Sequence, residues 1–264
     1  MELIKKLREL TGAGMVDCKN ALTEANNDLD KAVEILRNKG IAKAAKRSGR
    51  ETNEGIIMVD VNANQNVGYI LELNSETDFV ARNENFLALA NKIMVLVKEH
   101  EPENLDNLLD IKIDDFTVRE TLANLSGTTG ENLVLSRFEL LQSATVAAYS
   151  HAGGRIGVLV GLDKPNQSEL ASEVAMQVAA SNPKYLNSTD VDKAEMLNEE
   201  KIYREQLLKE GKPENILDKI VAGKMGKYYS EVCLVEQEYI KDDKKKVKDI
   251  LGDVQVTKFI RYSL

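Results

Sequence analysis

Few side chains in this sequence of 264 residues can do chemistry, and they stand apart from one another. The only histidines are His100 and His151, and neither has a Cys or a second His at metal-ligand spacing, which argues against a zinc site. The only cysteines, Cys18 and Cys233, lie far apart in the chain, a usage that suits a reducing compartment better than a disulfide framework. Cys18 sits in helical texture and reads as a small apolar filler. No Gly-x-x-x-x-Gly-Lys-Ser/Thr occurs, so the chain has no phosphate loop of its own. Gly153-Gly154-Arg155-Ile156-Gly157 precedes its apolar run instead of leading from a strand into a helix, and fails as a dinucleotide fingerprint. Asp114-Asp115 pair by adjacency only. The other carboxylates read as surface charge, which leaves carboxylate catalysis open but unsupported.

One ring is out of place. Glu72 to Phe86 (ELNSETDFVARNENF) joins an alternating apolar segment to a helical one through a polar turn that carries Phe79. Ser75 with Asp78 three residues on is a capping pattern, and a side chain in the first turn after it projects outward. Two readings of Phe79 stay open: a staple folded against the next helix, or a wedge for the surface of another molecule.

Composition bounds the choice. At this length two or three domains are expected. An apolar fraction of 43% and a charged fraction of 30% are ordinary for a folded chain, which argues against disorder. The net charge of −8 argues against bulk nucleic-acid binding, which takes an excess of Lys and Arg. Met1 is followed by the charged, amphipathic ELIKKLREL instead of a signal peptide, and no uncharged run approaches a membrane span. A cytoplasmic protein with no membrane contact and no cofactor is expected.

The elements that must position these residues follow in order. Three short helices are expected within residues 1–40. Leu3, Leu7 and Leu10 share a face of the first, and Val16, Ala21 and Leu22 fit the second after Thr11-Gly12-Ala13-Gly14. Leu29, Val33 and Leu36 fit the third, with caps from Asn26-Asn27-Asp28 and a stop at Gly40. Such a module buries little and suits docking. Residues 41–54 form a basic linker, part of the run Lys39, Lys43, Lys46, Arg47 and Arg50. It reads as a solvated linker or helix extension, or as a phosphate-contacting arm, although it lacks the interleaved rings that single-strand recognition uses.

Strands are expected at 56–61 and 67–73 around the loop Asn62 to Asn66, then a helix with Phe86, Leu89, Ala90, Ile93, Leu96 and Val97 on one stripe. Weaker helices near 104–109 and 117–125 lead to a strand at 133–141. The segment Tyr149 to Arg155 leads into 156–162, apolar enough for a central strand. A helix at 168–180 and a final strand at 254–262 complete the plan. Thr257-Lys258-Phe259-Ile260-Arg261 resembles Leu135-Ser136-Arg137-Phe138-Glu139 in pattern, which suggests two related α+β subdomains, 55–142 and 143–188 with 229–264. Between the parts of the second, residues 189–228 read as an inserted antiparallel helical hairpin, with Val191, Ala194, Leu197, Leu208, Ile216, Ile220 and Val221 on its seam.

Three motifs occur together and in order: Leu10 to Leu22 (LTGAGMVDCKNAL), Asn74 to Val80 (NSETDFV), and Tyr149-Ser150-His151 with Gly154 to Val160 (GRIGVLV). As a set they resemble the elongation factor Ts family. The resemblance implies a ubiquitin-associated-like N-terminal domain of three helices, a core of two subdomains and the inserted hairpin. It implies a guanine-nucleotide exchange factor, not an enzyme, that binds elongation factor Tu in its GDP form and opens its nucleotide site during translation elongation, with no nucleotide site of its own. By the same resemblance Thr77, Asp78, Phe79 and Val80 dislodge the partner's magnesium ion, with Phe79 inserted between partner side chains. Thr129 and Gly130 approach its phosphate loop; the family often has an apolar residue where Thr129 stands. Arg8, Met15 and Val16 dock on the nucleotide domain, and His151 faces the other domains. A short C-terminal module of some members is expected to be missing after Leu264. The hairpin can pair with a second copy as a homodimer or lie on the partner. An adaptor acting through residues 1–40, or an RNA-binding arm at 39–50, are the competing readings.

Overall fold

The computed structural model describes the backbone of all 264 residues and every side chain except that of Ile41. Three helices open it: α1 (Glu2–Thr11), α2 (Met15–Glu24) and α3 (Leu29–Ala45). They enclose a small core of Leu7, Cys18, Ala21, Leu22, Ala25 and Ala32. Leu7 is the one residue of the expected first-helix face that is buried; Leu3 and Leu10 are exposed, and Ile4 packs against the core beside Leu7 instead. Asp28 starts α3 by accepting the Lys31 backbone N–H at 3.1 Å.

The next segment runs β1 (Glu54–Val61), β2 (Val67–Ser75), α4 (Asp78–Ala81), α5 (Glu84–His100), α6 (Leu105–Asp110), the two-residue strands β3 (Lys112–Ile113) and β4 (Phe116–Thr117), α7 (Val118–Thr129) and β5 (Val134–Gln142). Strands β1, β2 and β5 form an antiparallel sheet with β2 in the centre. Its outer face carries Leu71 and Leu73 against Phe86, Leu89, Ile93 and Val97 of α5 and Leu122 of α7. α7 starts with a capping box, Thr117 with Glu120, and runs to Thr129, four residues past the expected end.

Gly40 does not end α3. The helix runs on to Ala45, and Gly40 lies within it where α3 crosses α7. A Cβ built on Gly127 would stand 3.3 Å from the Gly40 Cα, so the two backbones touch and the glycine serves close approach, not termination. The basic run therefore starts in a docked helix, with Lys39 and Lys43 in α3, and continues past it through Lys46, Arg47 and Arg50. Arg37 pairs with Glu120 and lies over the Phe116 ring, while Arg47 donates to the Ser126 carbonyl at 3.0 Å. Lys39 meets Glu24 at 2.5 Å, Lys43 meets Asp17 at 3.2 Å and Arg50 meets Glu76 at 3.2 Å. Three cations of a run that carries no acid of its own, Lys39, Lys43 and Arg50, find acids elsewhere in the fold.

The remaining elements are β6 (Thr145–His151), β7 (Ile156–Leu162), α8 (Ser168–Ser181), α9 (Lys193–Lys209), α10 (Glu214–Val232), β8 (Glu238–Tyr239), β9 (Asp242–Lys246), α11 (Val247–Leu251) and β10 (Val256–Ser263). β7 is the centre of a second antiparallel sheet, between β6 and β10. The sequence hid β6 because its middle, Val146-Ala147-Ala148, is poor in strand formers; pairing with β7 and cover from α8 supply what propensity lacks. Each sheet is a hairpin, a helical excursion and a third strand laid against the second. The mixed α+β class read from the sequence holds.

The two sheets meet face to face through Ile57, Ile70, Leu141, Val146, Leu159, Ile260 and Tyr262. On β7, Val158, Val160 and Leu162 face α8, and Leu159 faces the first sheet between Gly157 and Gly161. A Cβ on Gly161 would fall 2.6 Å from Leu141, so the glycines set the intersheet distance. Ion pairing of Arg204 with Asp218 and a hydrogen bond from Tyr228 to Glu195 set α9 and α10 antiparallel. Their seam is Leu207, Leu217, Val221, Met225 and Tyr228. The expected Leu197, Leu208 and Ile216 are exposed instead, since spacings of four and three from Leu217 choose the neighbouring register.

Candidate partner-binding site

The Phe79 turn begins where β2 stops. Ser75 is buried in the strand and donates to the Thr77 carbonyl at 2.9 Å, so it is not the cap that the Ser75–Asp78 pattern suggested. Thr77 is the N-cap of α4, and its own side chain caps nothing within the turn. The acceptor comes from elsewhere. Glu131, just past the end of α7, accepts the Thr77 backbone N–H at 3.0 Å and its hydroxyl at 2.6 Å. Ala81 is buried, Val80 packs against the first sheet's core, and Asn83 starts α5 by accepting the Asn85 N–H at 2.9 Å. Asp78 pairs with Arg82 one helical turn on. With both flanks fixed, Phe79 is 84% exposed. The ring is not a staple.

Thr129 and Gly130 close α7. The Thr129 hydroxyl bonds back to the Leu125 carbonyl at 3.0 Å, and the exposed Gly130 takes the left-handed conformation, φ 81°, that ends the helix. Glu131 brings this turn beside Thr77. Glu76 answers from the other side by accepting the Asn132 N–H at 2.6 Å, and Asn132 donates its side-chain amide to the Arg50 carbonyl. The loop from Thr11 to Gly14 reaches the same end of α7, with the position of a Gly12 Cβ 4.0 Å from Thr128. Arg8, Met15 and Val16 flank that loop and are exposed, Val16 at 71%.

His151 ends β6 in the turn before β7. The register sets Glu54 opposite Ser75, Arg155 pairs with Glu54 at 2.6 Å, and the Ile57 N–H donates to the Gly154 carbonyl. The β6–β7 turn and the Phe79 turn therefore lie at the same end of the two sheets. The exposed His151 is bonded through Nδ1 to the Tyr149 hydroxyl at 3.1 Å, with the two rings stacked.

Among the described residues no group of three or more His, Cys, Asp or Glu side chains could hold a metal ion, and no helix is long and apolar enough to cross a membrane. Asp114 is paired with Lys92 at the surface. Both cysteines are buried, and burial pushes the Cys233 thiol up to about 11, which keeps it protonated and inert at neutral pH. What the face offers is an exposed ring, a glycine turn and exposed apolar helix residues, which suits a protein surface.

Sequence reasoning missed Glu131, Glu76 and Asn132, because no local pattern links positions 54 or 56 residues apart. One signal was present. Position 80, three after the cap residue Thr77, is Val and not Glu or Gln, so the turn lacks a capping box and needs an acceptor from outside.

The comparisons agree with one another. The family model described as Elongation factor TS matches residues 76–264. A Clostridium perfringens (strain 13 / Type A) protein named Elongation factor Ts is 45% identical over 274 residues, covering 98% of this chain and 90% of the relative. One of the same name from Deinococcus deserti is 44% identical over 264 residues, covering 100% and 99%. A third, from Clostridium botulinum (strain Eklund 17B / Type B), is 43% identical over 274 residues, covering 98% and 90%. The chain belongs to the elongation factor Ts family, the nucleotide exchange factors of translation elongation.

Proposed function

We propose that this chain binds elongation factor Tu in its GDP form and expels GDP by inserting Phe79 beside the bound magnesium ion. The observation that carries the reading is the 84% exposure of a phenylalanine on a turn whose flanks are buried and hydrogen-bonded. A large apolar ring held in water by a rigid frame has a binding surface as its use. Thr77, Asp78 and Val80 shape the wedge around it. Thr129 and Gly130, one carboxylate away, approach the phosphate loop of the partner. Helices α1 to α3, as a ubiquitin-associated-like module, dock on its nucleotide domain through Arg8, Met15 and Val16, and His151 meets its other domains.

The physical basis is linkage. GDP is held by magnesium and by backbone N–H groups around its phosphates, and disturbing either weakens it. Whatever weakens GDP is weakened equally by GDP, and the arriving GTP expels the factor by the same coupling. No covalent bond changes. The factor needs no catalytic side chain and works in the cytoplasm in catalytic amounts. The test is release of labelled GDP from elongation factor Tu: substoichiometric factor accelerates it if the reading holds, and leaves the spontaneous rate unchanged if it does not.

A further inference from the structure

We propose that Glu131 is a positioning residue for Phe79, and that with Glu76 it fuses the Phe79 turn and the Thr129–Gly130 turn into one rigid piece. The proposal rests on the exchange reading above. α4 has only four residues, too few to hold a helical conformation by itself. Its ring is exposed and contributes little packing that would fix it. The conformation is imposed at the N-terminal side, where the Glu131 carboxylate takes two donors of Thr77, its backbone N–H at 3.0 Å and its hydroxyl at 2.6 Å. Bonds to a carboxylate are stronger than neutral ones and fix direction.

Glu131 is itself held. The hydroxyl of Ser126, a buried residue of α7, donates to its carbonyl at 2.5 Å. The bracing is reciprocal, because Glu76 of the Phe79 turn accepts the N–H of Asn132, the residue after Glu131. Arg50 closes the frame: its guanidinium pairs with Glu76 and its carbonyl accepts from Asn132. Each turn is thus held by a carboxylate from the other, and the strand of chain leaving α3 is tied to both. A loose ring loses binding energy in ordering itself, and a braced one keeps it for distorting the partner. The bracing acts on the rate of GDP release and not on docking, because the docking residues lie outside the braced turns, on α1, on α2 and at the end of β6.

The experiment is a double-mutant cycle of Glu131→Ala with Phe79→Ala, read by GDP release from elongation factor Tu and by amide hydrogen exchange of the free factor. Loss of the cap in Glu131→Ala lowers the maximal release rate about tenfold while the half-saturating factor concentration moves less than about twofold. Glu131→Gln, which keeps an acceptor for the Thr77 N–H, recovers part of the rate. In the Phe79→Ala background Glu131→Ala adds almost nothing, and in the free protein the Thr77 amide exchanges faster. Full loss in the Phe79→Ala background, or unchanged Thr77 protection in Glu131→Ala, overturns the proposal. If the wild-type chain does not accelerate release, the exchange reading fails, and the amide measurement alone decides the bracing. Should Glu131→Ala not fold, Thr77→Val, which deletes the hydroxyl bond and keeps the amide bond, replaces it in the cycle, where a loss of rate that is absorbed in the Phe79→Ala background supports the bracing and one that adds to it in full overturns it.

Discussion

Phe79 and Phe86 lie seven residues apart in one continuous stretch and have opposite fates. Phe86 is fully buried between α5 and the first sheet; Phe79, on the short turn before it, is 84% exposed. Helix phase explains Phe86, which shares a stripe with Leu89, Ala90, Ile93 and Val97. Nothing in the phase of a four-residue turn explains Phe79. The turn that carries it is hydrogen-bonded to residues more than fifty positions away. The first ring is buried and the second is the proposed wedge, and substitutions separate the two roles.

The largest effect on stability is expected at the buried ring. Phe86→Ala removes a fully enclosed side chain and costs about 3–5 kcal/mol, read as a fall in the urea midpoint. A small loss there would mean that the two rings do not differ as described. Next comes the crossing of α3 and α7. Gly127→Leu pushes a side chain into the Gly40 backbone and costs about 1–3 kcal/mol by forcing the helices apart. Because Arg50 follows α3 and is tied to Glu76, the same variant also loosens the Phe79 turn, seen as faster exchange of the Thr77 amide.

A third region serves as a reference distant in sequence from both rings. Hydrogen bonds from Lys184, Tyr228 and Tyr185 hold the Glu195 carboxyl down at about 2, below its ordinary value of 4.5. A depressed acid stabilises the fold above its unfolded pKa and loses that contribution as pH falls from about 4.5 toward 2. Thermal midpoints taken across that window should fall for the wild type, and less steeply for Glu195→Gln. Phe79→Ala should keep the wild-type slope. A changed slope would tie the ring to the packing of the hairpin base.

The same contrast marks what the sequence could say. Regular periodicity located β1, β2, β5, β7, α5 and α8 to within a few residues, and it put Phe86 inside, because burial on one stripe is a local signal. Failures came where tertiary contacts overruled local rules. Gly40 looked like a stop and is a crossing point; Ser75 looked like a cap and is a strand residue. β6 is strand by pairing and not by propensity. The hairpin seam slipped by one residue at Leu207 and Leu217, since neighbouring apolar positions compete equally until the helices pair. At the candidate site the motif Thr77 to Val80 was legible and Glu131 was not, for a carboxylate that braces from 54 positions away leaves no periodic trace.

The smallest effect on stability belongs to Phe79→Ala, within about 0.5 kcal/mol, as for other exposed positions. Its effect on function is expected to be the largest. The decisive measurement is the rate of labelled GDP release from elongation factor Tu with wild-type and Phe79→Ala factor, taken beside their melting curves. The account predicts superimposable melting curves and release slowed by about tenfold or more, the loss of roughly one buried aromatic contact at a binding surface. Equal release rates, or a loss of activity matched by a loss of thermal stability, would contradict it.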